Sequence, residues 1–192
     1  GVVVLPCNHP IRVAERAATL DILSNGRVDL GTGRGASWYH TEAFGVPIDQ
    51  SREVWDEALR VICGLFGNDT FPGHKGRHYV IPERKLVPKP LQKPHPPFYL
   101  AAISPSTYDM AAHLGLPLLR APQFSNLDTV ARAFTAYKDE MRAYGYDPDT
   151  LDQPLAVRVY VAPTDAEAKA EAKHALWFYH LVATLLPGAP GR

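Results

Sequence analysis

Short apolar runs alternate with segments of helical period along this chain, five times over, and that alternation limits the fold more than any single motif does. Residues 2–5 form a continuous, mostly β-branched run closed by Pro6, the pattern of a strand buried on both faces. Asn8-His9-Pro10 then opens a helix, with Pro10 suited to its first position and His9 placed as a polar cap. Val13, Ala17, Leu20 and Leu23 recur at helical spacing, and Asn25-Gly26 supplies a left-handed stop. The same sequence of strand then helix is expected at residues 27–30, 98–103, 116–120 and 153–162 and in the segments after them. Strands separated by helices run parallel, with right-handed crossovers. The fold class is therefore α/β, as an open doubly wound sheet or a slice of a (β/α)8 barrel.

The second strand leads into GRVDLGTGRG, where Gly31, Gly33 and Gly35 alternate and Arg34 stands between the last two. Glycines permit tight turns and close approach of another group. An arginine at a strand end can meet an anion through its bidentate fork. A solvated Arg34 in a plain strand-to-helix turn is the competing reading. Asp49 or Ser51 is placed to cap the next helix, whose two apolar rows (Val54, Ala58, Val61, Leu65 and Trp55, Leu59, Ile62, Phe66) imply heavy burial against a sheet. Further on, Ser104-Pro105-Ser106-Thr107 opens a helix that runs to Leu114-Gly115. Hydroxyls there serve as N-caps, or join the helix N-terminus in binding phosphate. Val130, Phe134, Tyr137, Met141 and Tyr144 mark a core-facing helix, and Thr164 with Glu167 forms a capping box for a last helix running through Trp177, Phe178 and Tyr179.

Residues 71–97 stand apart, because seven prolines there exclude a helix and leave an edge hairpin or arm, with extended pieces at 77–81 and 85–87. His74 and His78 have a metal-ligand spacing for a helix, but Gly76 between them argues for a loop, and no metal site is expected. Twenty basic and twenty acidic residues leave no net charge, so nothing favours nucleic acid or an anionic membrane as a partner. No apolar run is long enough to span a bilayer. Two cysteines, Cys7 and Cys63, make no disulfide framework and fit a reducing cytoplasm. At 192 residues the length favours one domain; the buried-strand opening and the loop-like close suggest a central fragment of a larger one.

Taken together, LPCNHPIRVAERAATLDILSNGRVDLGTGRG, EAFGVPIDQSREVWDEAL and FYLAAISPSTYDMAAHLGLPLL resemble the bacterial luciferase-like flavin-dependent monooxygenases. The resemblance is strongest over residues 4–62 and 98–119 and weak after about residue 151. It implies a (β/α)8 barrel with about five of its eight parallel strands in this chain. The implied cofactor is FMN, or in some branches a deazaflavin, at the C-terminal ends of the strands. By the same resemblance Arg34, Ser104 and Thr107 meet the flavin phosphate, Gly33 and Ser37 line that region, and Gly1-Val2 forms a non-proline cis peptide beside the ring. The implied reaction joins reduced flavin, O2 and a small organic substrate, with a separate flavin reductase and a homo- or heterodimeric assembly as partners. The family's catalytic histidines would precede residue 1, so no catalytic residue is assigned here. Luciferase itself has a tyrosine at the position of Ser37 and a glutamate at that of Ile103, which bears on the substrate rather than on the flavin.

Two other readings compete. Gly31, Gly33 and Ala36 fit the glycine pattern of a nicotinamide-binding Rossmann turn, but Ser37-Trp38-Tyr39-His40 starts no clear apolar-periodic helix and no acidic residue closes a second strand where that fingerprint needs one. A non-catalytic flavin-binding or assembly subunit of the same fold is the other.

Overall fold

A computed structural model describes residues 2–121, 126–175, 177–178 and 180–181. Strands β1 (Val2–Val4), β2 (Leu30–Gly33), β5 (Phe98–Ala102) and β6 (Leu118–Arg120) form one sheet in that order, every pair parallel. Between them run α1 (Pro10–Leu23), α2 (Trp38–Glu42), α3 (Ser51–Gly67) and α4 (Pro105–Leu114), and α5 (Leu127–Ala143) and α6 (Asp165–Ala172) follow. A two-stranded antiparallel hairpin, β3 (His74–Lys75) with β4 (Val80–Ile81), stands in the proline-rich arm.

The helix layer and one face of the sheet enclose the core. Leu30, Phe98, Leu100, Ala102 and Leu118 pack there with Trp55, Ile62 and Leu65 of α3, Ala111 and Ala112 of α4, and Tyr137 and Met141 of α5. Thr32 is fully buried on β2: its hydroxyl accepts from Trp55 Nε1 at 3.3 Å and donates to the Tyr99 carbonyl at 3.2 Å. The pair ties the widest apolar helix to the centre of the sheet with no polar atom of either side chain left unbonded.

Several boundaries differ from the sequence expectation. The second strand is not residues 27–30 but Leu30–Gly33, so Gly31 and Gly33 are part of the strand and only Gly35 lies in the turn after it. Close packing accounts for this: a Cβ on Gly33 would lie 3.0 Å from Val2 Cγ1 and 3.6 Å from Ala101 Cβ, so neighbouring strands occupy the space. Residues 153–162 form no strand; a single parallel bridge joins Leu155 to Arg120. Val157, Val159 and Val161 are exposed, so a β-branched run lacks the second neighbour that would continue the ladder. Residues 85–87 are likewise unpaired, because the prolines around them supply no donors; the arm instead closes through Phe71 and Arg84. Gln50, not Asp49 or Ser51, is the cap of α3, and Ser51 is its first helical residue.

Other local signals hold. His9 Nδ1 accepts the Ile11 N–H, capping α1, and Asn25 and Gly26 take positive φ at its end. Thr164 accepts from Glu167 N at 3.2 Å and donates to the Glu167 carboxylate at 2.8 Å. The last helix, expected to run through Trp177, Phe178 and Tyr179, gives α6 ending at Ala172 and a 3-10 turn at Lys173–Ala175; Trp177 is exposed and Tyr179 lies outside the described residues. Among the described residues no helix is long and apolar enough to cross a membrane.

Candidate functional site

Parallel strands deliver their C-terminal ends, and the N-termini of the helices that follow, to one edge of the sheet. Arg34 comes directly after β2, and its Nη1 donates to Ser51 Oγ at 3.3 Å. Ser51 is fully buried at the start of α3 and donates to the Ile48 carbonyl at 2.6 Å, which fixes its lone pairs toward the arginine. The next residue, Arg52, reaches across to α4, where its Nη2 donates to Ser106 Oγ at 2.6 Å. Ser106 lies 3.3 Å from Ser104 Oγ, and Ser104 Oγ lies 2.9 Å from Thr107 Oγ1. Two hydrogen-bonded groups, Arg34 with Ser51 and Arg52 with Ser106, Ser104 and Thr107, thus meet at the peptide bond between Ser51 and Arg52, across two helix N-termini and a strand end.

The electrostatics of these groups are unbalanced. No described carboxylate forms an ion pair with Arg34 or Arg52. Arg34 is half-buried, and burial, then the charge of Arg52, pulls its pKa below the ordinary arginine value. A cation in the first turn of a helix also opposes the helix macrodipole, as Arg52 does on α3. An anion near both guanidinium groups would offset their mutual repulsion.

Three further features fit an anion of phosphate type. Ser104 stands at the cap position of α4, yet its hydroxyl makes no capping bond, and Pro105 occupies the first turn. The helix N-terminus is therefore not closed off by a side-chain oxygen. Ser37 Oγ is buried and has no hydrogen-bond partner. Gly35, at φ +86°, turns the backbone away immediately after Arg34.

Of the residues singled out in the sequence, Ser104 and Thr107 bond each other at 2.9 Å, while Arg34 bonds Ser51, whose neighbour Arg52 reaches their cluster. Ser37 is adjacent in sequence but bonded to none of them. Gly33 and Val2 meet on the opposite face of the sheet from the core, where Gly33, Ala101 and Val2 leave a shallow apolar floor. Gly1 lies outside the described residues, and with it the Gly1-Val2 peptide bond. Sequence reasoning passed over Arg52 and Ser106. Arg52 carried a legible signal, a basic residue in the first turn of a strongly apolar helix. Ser106 sat within a quoted hydroxyl cluster, and only the reach of Arg52 distinguishes it.

A match to the family described as luciferase-like monooxygenase spans residues 1–187. The chain belongs to the luciferase-like monooxygenase family. Family membership accords with a sequence relative from Acinetobacter baylyi, the oxygenase component of a flavin-dependent trigonelline monooxygenase. It is 29% identical over 94% of this chain and 50% of its own length. Among solved structures, the monooxygenase RslO1 from Streptomyces bottropensis superposes with a TM-score of 0.84 at 26% identity, covering 98% of this chain and 57% of that one. The oxygenating constituent of 3,6-diketocamphane monooxygenase from Pseudomonas putida, solved with FMN, gives 0.79 at 22% identity over 95% and 55%. An F420-dependent secondary alcohol dehydrogenase, solved with an F420-acetone adduct, gives 0.77 at 22% identity over 92% and 53%. The last two show the shared fold. The luciferase-like chain spans about half the length of each of these proteins.

Proposed function

We propose that the chain supplies the phosphate-holding part of a flavin-dependent monooxygenase, as a central portion of a (β/α)8 barrel. The observation that carries this reading is the pair of neighbouring arginines without a counter-charge, Arg34 bonded to Ser51 at the start of α3 and Arg52 to the hydroxyl cluster at the N-terminus of α4. FMN is the cofactor the arrangement favours, with a deazaflavin as the alternative; either presents a phosphate to the same groups.

In this reading Arg34 and Arg52 hold the phosphate between them, and Ser104, Ser106 and Thr107 turn their hydroxyls to its remaining oxygens. Ser37 gives it the hydroxyl that otherwise has no partner. Gly33, Val2 and Ala101, together on the sheet face away from the core, would line the region that holds the flavin ring. The bound flavin, once reduced, supplies the electrons and the reaction with O2 that oxygenate a small organic substrate. The protein's contribution is to orient the ring and to keep water from it with apolar walls. A separate flavin reductase fits this chemistry, as does a homo- or heterodimeric assembly.

The test is to supply the complete protein with reduced FMN and isotopically labelled O2, with a panel of small organic substrates. Label in the organic product supports the reading. Flavin binding with no oxygenated product from any substrate would favour a flavin-binding or assembly subunit instead.

A further inference from the structure

Away from the arginines and hydroxyls, a cleft of about 350 Å³ opens between four pieces of the molecule. The turn after β1 contributes Pro6, Cys7, Asn8 and His9; the segment ahead of α3 contributes Phe44 and Val46; α3 contributes Val54; and the arm contributes His78 and Tyr79. No residue is shared with the cluster from Arg34 to Thr107.

The arm wall is fixed in place. Glu57 of α3 accepts from the backbone N–H of His78 at 3.0 Å and of Tyr79 at 2.8 Å, and its Oε1 lies 2.9 Å from His74 Nε2. The His9 and Tyr79 rings then meet edge to face at 5.9 Å across the cleft. A wall held by charge-assisted backbone bonds is pre-formed rather than assembled on binding.

The lining sets the chemistry of an occupant. Proline, phenylalanine, two valines and a tyrosine give apolar walls. Among the described residues no lysine or arginine lines the cleft, and the charges behind it are already engaged, Glu53 with Arg77, Glu57 with His74 and Arg16 with Asn8, so an anion finds no lining cation to pair with. Asn8 is already used, donating to the Val4 carbonyl and accepting from Arg16. Two donors remain. His9 accepts through Nδ1, which leaves the proton of its neutral ring on Nε2, and burial pushes the Cys7 pKa up and so keeps it a thiol.

We propose that this cleft is a second small-molecule site, for a neutral, mostly apolar molecule bearing one hydrogen-bond acceptor, such as a ketone, aldehyde or ether. It stands whether or not the chain holds a flavin.

Cys7 provides the readout, since it lines the cleft while Cys63, half-buried outside it and pushed up to about 11, serves as an internal control. Alkylation of Cys7 by N-ethylmaleimide, followed by peptide mass spectrometry, is measured with 2-octanone and with octanoate. At ten times the half-protecting concentration, 2-octanone should slow Cys7 alkylation about ten-fold, and octanoate should have no effect. Val46→Trp, which fills the cleft, and Phe44→Ala, which removes an exposed apolar wall, should each abolish or weaken the protection. Absence of protection by 2-octanone up to its solubility limit would overturn the proposal. So would equal protection by octanoate, or full protection retained in both variants.

Discussion

Arg52 is the residue that makes the candidate site more than a strand-end arginine. Alone, Arg34 bonded to Ser51 is a satisfied side chain; with Arg52 nearby it becomes half of an uncompensated pair. Charge-assisted hydrogen bonds of this kind contribute about 1.5–3 kcal/mol each. Arg34→Ala and Arg52→Ala should therefore each weaken FMN binding by roughly ten-fold or more in a flavin-fluorescence titration. Unchanged affinity in either variant would remove that residue from the site. The two glycines of β2 were legible as close-approach positions, but which side of the strand end they belonged to was not. A run of Gly-Thr-Gly has no apolar alternation to mark it as strand, and its burial comes wholly from neighbours. The Ser104 hydroxyl was likewise ambiguous, because capping and ligand binding use the same residue types at the same place.

At the scale of elements, two carboxylates, one buried and one partly buried, join pieces far apart in the chain. Asp21, fully buried near the end of α1, accepts from Gln92 N at 2.9 Å and Gln92 Nε2 at 2.7 Å, pinning the close of the arm to that helix. Truncation as Asp21→Ala leaves those donors unpaired and should cost about 1–3 kcal/mol in a urea titration. Glu57 performs the same task at the arm's tip. Burial acts to raise its pKa, but the His78 and Tyr79 amides and His74 outweigh that, and the net shift is downward from 4.5. A depressed carboxylate stabilises above its ordinary pKa and loses that contribution as pH falls through the folded value. The amide shifts of His78 and Tyr79 in NMR spectra should thus titrate with a midpoint below 4.5, and Glu57→Gln should abolish the titration. A midpoint at or above 4.5 would contradict the assignment. Gly76→Ala tests the same junction sterically, since its Cβ would lie 2.0 Å from Glu57 Oε1. It should speed hydrogen exchange across β3 and β4 without altering that in α5. This junction was not readable from the sequence: the spacing of His74 and His78 raised a metal only to set it aside, and nothing local revealed that α3 carried the acid they face. Helix periodicity, by contrast, revealed α1, α3 and α5, because each is amphipathic over several turns, and start and stop residues revealed α4.

Across the whole molecule, alternation of period is what made the parallel sheet legible, and lack of a neighbour is what made its last strand illegible. Residues 153–162 read as a strand by composition, yet only Leu155 pairs, since the sheet continues no further among the described residues. The central claim is that the edge of this sheet holds the phosphate of a flavin. Its most direct test compares FMN with riboflavin, which has the same ring and no phosphate, by fluorescence titration of the complete protein at fixed ionic strength. FMN should bind more tightly than riboflavin, and Arg34→Ala combined with Arg52→Ala should erase the difference while leaving riboflavin affinity unchanged. Equal affinity of the unsubstituted protein for the two ligands would contradict the account.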